Sequence, residues 1–186
     1  IDGRDIAQVP LGMLRSRITM IPQDPVLFAG KLRYSLDPAG LYVDAQLWSA
    51  LEAVGMRTFA EQSEGGLDTD VADGGENLSA GQRQLLCMAR ALLEKPRVLI
   101  MDEATSNIDG QTDERIQTML KEKFCDCTVL TIAHRIDTIM WYDRVCVLDH
   151  GTVLEYDTPS ILAGRSGSAF GALLEEYREG KREGKS

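Results

Sequence analysis

The chain has 186 residues, 44% of them hydrophobic, a formal net charge of −9 and a sequence pI of about 4.7. That length supports one ordinary core, so a single domain is the default, and the acidic balance argues against nucleic acid or an anionic membrane surface as a partner. No apolar run reaches the roughly 18 residues of a membrane-spanning helix.

In chain order, Ile1-Asp2-Gly3-Arg4-Asp5-Ile6 predicts a strand end and turn, Leu11 to Arg15 a short helical turn, and Ile18 to Ile21 a strand. The two prolines of Pro22-Gln23-Asp24-Pro25 fix a rigid turn that exposes the Gln23 amide, a neutral group able to ligate Mg²⁺ or position water. Val26 to Gly30 continues extended, and Leu32 to Leu36 starts a helical turn that Asp37-Pro38 breaks. Between Gly40 and Gly75 the pattern is helical: Leu47, Leu51 and Val54 share a face, and Met56 to Glu61 forms a second short segment ended by Gly65-Gly66. Exposed Phe28 and Tyr34 are candidates for contact with another protein surface. Gly74-Gly75-Glu76-Asn77 is expected to be a flexible lead into the next helix.

That helix begins at Leu78-Ser79-Ala80-Gly81-Gln82. Ser79 and Gln82 have the spacing of a capping box, and a helix start with outward amides attracts anions. Leu85, Met88, Ala89 and Leu92 recur at helical spacing until Lys95-Pro96 stops the helix. Val98 to Met101 is uniformly apolar, the mark of a strand buried on both faces, and it ends in Asp102-Glu103. Open α/β sheets bind ligands at the carboxyl ends of their strands. An aspartate there can hold Mg²⁺, which takes oxygen ligands and keeps several waters, and a second carboxylate can polarise water for attack on phosphorus.

Asp109 starts a further helix through Ile116, Met119, Leu120 and Phe124, and Cys127 to Ala133 predicts another buried strand ending at His134. His150 sits in a hairpin turn between Val145 to Leu148 and Val153 to Tyr156 and needs no functional role. After Pro159 come a short helix, an amphipathic segment from Phe170 to Tyr177 and a charged tail, Lys181 to Ser186, expected to be irregular. Gly184-Lys185-Ser186 imitates the end of a phosphate-binding loop, but Glu179 stands where that loop needs glycine and no strand precedes it. Cys87, Cys125, Cys127 and Cys146 contain no Cys-x-x-Cys pair and are expected to be reduced core thiols.

Taken together, Leu78 to Gln82, Val98 to Glu103, Ser106-Asn107-Ile108-Asp109 and His134 resemble, in order and spacing, the signature motif, Walker B motif, D-loop and switch histidine of the nucleotide-binding domain of ATP-binding cassette (ABC) proteins. The strings Ile21-Pro22-Gln23-Asp24-Pro25-Val26-Leu27-Phe28, Ser35-Leu36-Asp37-Pro38, Gln82 to Cys87 and Thr131-Ile132-Ala133-His134-Arg135 are most similar to the second such domain of the C subfamily, the multidrug-resistance-associated type. The resemblance covers residues 1–165 and implies an α/β fold: a P-loop NTPase (RecA-like) core with a mostly parallel sheet and an inserted helical subdomain at about 37–78. Residues 166–186 would form a C-terminal helix and tail.

The same resemblance implies ATP and Mg²⁺ as ligands, with Asp102 and Gln23 on the metal, Glu103 activating water and His134 stabilising transferred charge. Ser79, Gly81, Gln82 and Asp109 would face nucleotide, Ser79 and Gly81 that of a second domain closed head to tail. It also implies transmembrane domains of the same transporter as partners, a place on the cytosolic face of a membrane, and solute export driven by ATP. No Gly-x-x-x-x-Gly-Lys-Ser/Thr occurs, so the amino-terminal part of the core is expected to lie upstream of Ile1, and these residues alone to hydrolyse ATP negligibly. The alternative is a catalytically dead module that lends only its signature face. Asn107 departs from the small residue usual in the D-loop.

Overall fold

A computed structural model describes residues 1–103, 108–133 and 136–183. It divides into two compact units, Ile1–Ile132 and Ala133–Ser186.

The first unit is organised by a three-stranded parallel sheet, β1 (Ile18–Ile21), β4 (Val98–Asp102) and β5 (Thr128–Ile132), in the order β1-β4-β5. Ile21 pairs with Met101, Met101 with Thr131 and Asp102 with Ile132, so the three carboxyl ends lie side by side. Side chains alternate across a strand. One face, with Ile21, Leu99 and Met101 all at 1% exposure or less, is buried; on it Thr19 donates to Glu94 of helix α5 (Ala80–Glu94) at 2.6 Å. The other face aligns Met20, Ile100 and Leu130 at one level. There Met20, Leu130 and Ile132 are 55–57% exposed. The burial on both faces expected of Val98 to Met101 is met on one face only, Val98 and Ile100 being half-buried, and the buried strand expected over Cys127 to Ala133 has Leu130 and Ile132 exposed. β5 is an edge strand of this sheet.

Short helices precede and follow β1: α1 (Leu11–Arg15), then α2 (Leu32–Leu36), α3 (Asp44–Ala53) and α4 (Arg57–Gln62). Leu47, Leu51 and Val54 form the buried stripe that their spacing predicts. The Arg33 guanidinium on α2 is shared between Asp68 (2.6 Å) and Asp44 (2.8 Å), tying α2 to the start of α3 and to the turn after α4. A two-residue antiparallel pairing, β2 (Gly30–Lys31) with β3 (Asp70–Val71), closes this region; strands so short leave no periodic trace in the sequence. On α5, Arg90 donates to the carbonyl of Ser35 at the end of α2 (2.6 and 3.0 Å). The remaining helix, α6 (Gly110–Lys123), buries Ile116, Met119 and Leu120. Of the four thiols only Cys87 is buried, which pushes its pKa up; Cys125 and Cys146 are exposed, contrary to the expectation of core thiols.

In the second unit, the hairpin β6 (Val145–Asp149) and β7 (Thr152–Asp157) turns at His150-Gly151, both at positive φ, as the sequence predicts. Val145, Leu162 and Phe170 make its core with α7 (Pro159–Gly164) and α8 (Ala169–Glu183). Helix α8 runs into the tail expected to be irregular, whose last residues, 184–186, lie outside the described ones.

Glu155 caps α8 by accepting from the amides of Phe170 (3.0 Å) and Ala169 (3.1 Å) and the hydroxyl of Ser168 (3.0 Å), bonds that hold its carboxyl below the usual range. A carboxyl depressed in the folded state contributes stability above its unfolded pKa of about 4.3 and loses it as pH falls through the folded value. The denaturation midpoint should therefore drop on acidification below about pH 4.3. Glu155→Gln should flatten that part of the profile, and an unchanged profile would refute the assignment.

Candidate functional site

Three strand ends converge on one edge. Gln23 is two residues beyond the end of β1, exposed, on the turn between Pro22 and Pro25. Asp102 closes β4 and Glu103 follows it, both half-buried. The Glu103 amide donates to the carbonyl of Ile132 at 3.0 Å, which fastens the acidic pair to the end of β5. Glu103 also holds a left-handed backbone, φ +46°, a conformation that strains a residue with a long side chain. His134, two residues past Ile132, lies outside the described residues, as do Ser106 and Asn107 of the D-loop.

The signature turn is a helix start held from both sides. Ser79 Oγ accepts from the Gln82 amide at 3.1 Å, and Gln82 Oε1 accepts from the Ser79 amide at 2.8 Å. Such a cap contributes about 1 kcal/mol. It leaves the leading amides of Ala80 and Gly81 directed away from the helix body. Ser79 is exposed, Gln82 half-buried and Gly81 buried.

The lead into this turn is fastened rather than flexible. The Asn77 side chain accepts from the Ala72 amide and donates to the Asp70 carbonyl, both at 2.9 Å. Arg83 donates to the Leu78 carbonyl at 2.8 Å. Gly75, at φ +72°, has no room for a side chain: a Cβ there would stand 2.8 Å from Leu27 Cδ1 and 2.9 Å from Arg83 Cδ. Leu27 follows the Gln23 turn and is buried, so the segment beyond Gln23 packs directly on the approach to the signature. Sequence pattern carries no signal for that contact.

Asp109 is the N-cap of α6. Its carboxylate accepts from the Thr112 amide at 3.0 Å and the Thr112 hydroxyl at 2.8 Å, bonds that hold it below the usual carboxylate range. A cavity of about 420 Å³ lined by Glu52, Gly55, Gln111 and Arg115 among others contains none of the candidate metal, catalytic or nucleotide-facing residues.

The ABC transporter family model matches residues 1–106, more than half of the chain. The chain belongs to the ABC transporter family. Within it the chain sits with the C subfamily: it is 54% identical over 171 residues to ATP-binding cassette sub-family C member 3 of Mus musculus, covering 92% of this chain and 11% of that protein. It is also 51% identical over 179 residues to multidrug resistance protein mrp-7 of Caenorhabditis elegans, covering 96% of the chain and 12% of that protein. The chain thus spans about a tenth of the length of the curated relatives it matches. A solved structure of a bacterial Atm1-family ABC exporter with ATP bound superposes with a TM-score of 0.88 at 32% identity, over 95% of this chain and 31% of that one. The α/β fold with its parallel sheet and inserted helices is therefore the ABC nucleotide-binding fold.

The donor set at the sheet edge suits Mg²⁺. One half-buried carboxylate, Asp102, and one amide, Gln23, offer hard oxygens from neighbouring strand ends. Among the described residues no group of three or more His, Cys, Asp or Glu forms an all-protein metal cage. A magnesium ion shared with phosphates and retaining its own waters asks for no such cage.

Proposed function

We propose that this chain is part of the ATP-hydrolysing motor of an ABC exporter of the C subfamily, coupling ATP binding and hydrolysis to solute transport. The observation that carries the proposal is the convergence of Gln23, Asp102 and Glu103 on one edge of a parallel sheet. A second support is the capped signature turn, which presents helix-start amides at a separate place. Asp102 and Gln23 would hold Mg²⁺, which would supply screening of the phosphate charge. Glu103 takes the proton of the attacking water. Ser79 and Gly81 contact the terminal phosphate of nucleotide held by a second domain, with the helix dipole favouring that anion. Asp109 and Gln82 shape the surfaces on either side, and His134 donates to the transferred phosphoryl group.

The exposed face and edge position of β5 support a role within a longer protein, because parallel sheets are covered on both faces. An upstream segment with the phosphate-binding loop, transmembrane domains and a membrane-bound place on the cytosolic side belong to the same proposal. Phe28 and Tyr34, exposed and paired at 6.1 Å between ring centroids, are the surface offered to those domains.

The test compares the intact transporter, its Ser79→Ala variant and the 186-residue chain alone. The intact protein should hydrolyse ATP, the chain alone should not, and Ser79→Ala should lower turnover by about 10²–10³-fold, on the order expected for losing a donor to the transition state. Turnover indifferent to Ser79 would refute the proposal.

A further inference from the structure

Gly81, in the middle of the signature turn, is buried, and what buries it is the first turn of α6. A Cβ on Gly81 would stand 3.2 Å from Thr112 Cγ2 and 3.3 Å from Thr112 Oγ1. Thr112 is itself fixed: its hydroxyl donates to Asp109 Oδ2 at 2.8 Å and its amide to Oδ1 at 3.0 Å. Threonine in a helix divides between two χ1 rotamers because its hydroxyl can turn to different acceptors. The carboxylate of Asp109 selects one of them, and in that rotamer the side chain forms the wall behind Gly81. The two helix starts are distant in sequence: α5 (Ala80–Glu94) follows the Asn77 turn, and α6 (Gly110–Lys123) begins sixteen residues after α5 ends. Neither the Asp109 cap nor the glycine alone shows the link, which appears only where the two helix starts meet.

We infer that Thr112 is a positioning residue, transmitting the placement of the D-loop's Asp109 to the signature turn through its contact with Gly81. The inference rests on the nucleotide-binding role proposed above for that turn. Its consequence is specific. The signature meets nucleotide held by another domain, so a displaced turn lowers turnover while the nucleotide's own binding loop is untouched. Thr112→Val keeps the shape and the backbone cap but removes the bond that selects the rotamer. Thr112→Ser keeps the hydroxyl on both Asp109 and Gly81.

The experiment measures steady-state ATP turnover and affinity for trinitrophenyl-ATP in the intact transporter carrying Thr112→Val, Thr112→Ser, Asp109→Ala, Asp109→Ala with Thr112→Val, or Ser79→Ala. Thr112→Val should lower kcat about tenfold, the scale of a small misplacement of a catalytic contact, with affinity within about twofold of wild type. Thr112→Ser should stay within about threefold of the wild-type kcat. In the Asp109→Ala background, Thr112→Val should add nothing, because the two changes break one link; if the valine variant does not assemble, Asp109→Ala alone breaks the same bond and should lower kcat with affinity within about twofold of wild type, and an unchanged kcat there would overturn the inference. A Thr112→Val enzyme at wild-type turnover, or losses that multiply with Asp109→Ala, would overturn the inference while Ser79→Ala remains impaired. Unimpaired Ser79→Ala would overturn the nucleotide-binding role itself.

Discussion

Replacing Glu103 by glutamine in the intact transporter is expected to lower ATP turnover by roughly 10²–10⁴-fold with nucleotide binding close to wild type, the usual effect of removing a general base. Glutamine preserves the size of the side chain and the backbone bond from residue 103 to Ile132 (3.0 Å), so the sheet edge keeps its shape. What it loses is the ability to accept a proton from water. Asp102 does not substitute, because it closes β4 and serves the metal in the proposed arrangement. Single-turnover phosphate release, with bound ATP quantified in parallel, separates the two quantities. Near-normal release would mean that the water is activated elsewhere and would remove Glu103 from its proposed role.

Gly75→Ala is expected to destabilise the first unit by about 2–4 kcal/mol, combining a strained backbone with overpacking. The position has φ +72°, and the new methyl would overlap Leu27 Cδ1 at 2.8 Å and Arg83 Cδ at 2.9 Å. Both neighbours must move, and Arg83 can move only by loosening its bond to the Leu78 carbonyl. Gly74 supplies the control. Its φ is +60°, but nothing stands within 4 Å of the Cβ position, so Gly74→Ala incurs the backbone cost alone, about 1 kcal/mol. Chemical denaturation midpoints of the two variants measure the difference. Equal losses would show that the contact between Leu27 and the signature approach contributes nothing.

The parts of this molecule legible in the sequence are those decided locally. Ser79 and Gln82 cap a helix by hydrogen bonds three residues apart, and Lys95 ends it in the left-handed conformation before Pro96. The stripe of Leu47, Leu51 and Val54 follows from the helical period. The acidic pair after Val98 to Met101 follows from the length of an apolar run. What escaped the sequence depends on neighbours distant along the chain. The exposure of Leu130 and Ile132 is set by what lies over β5, not by their own hydrophobicity. The pairing of Gly30-Lys31 with Asp70-Val71 joins segments too short to carry a pattern. Gly75 reads as a loose hinge until Leu27 and Arg83 are seen against it, and Thr112 reads as an ordinary polar residue until Gly81 is placed beside it. His134, Ser106 and Asn107 carry the resemblance but lie outside the described residues, so their part rests on the sequence alone.

In the role proposed above, the left-handed backbone of Glu103 sets activity against stability at a single position. Asparagine and aspartate adopt φ near +46° at lower cost than glutamate, because their short polar side chains bond locally. A change from Glu103 to either would relax the chain while shortening or removing the base. Under the role proposed for Glu103, random substitution here is biased toward better-folded, slower variants, with turnover as the opposing demand. In a transporter with two nucleotide sites, the copy under weaker demand would be the first to slide down that gradient, losing its chemistry without losing its fold.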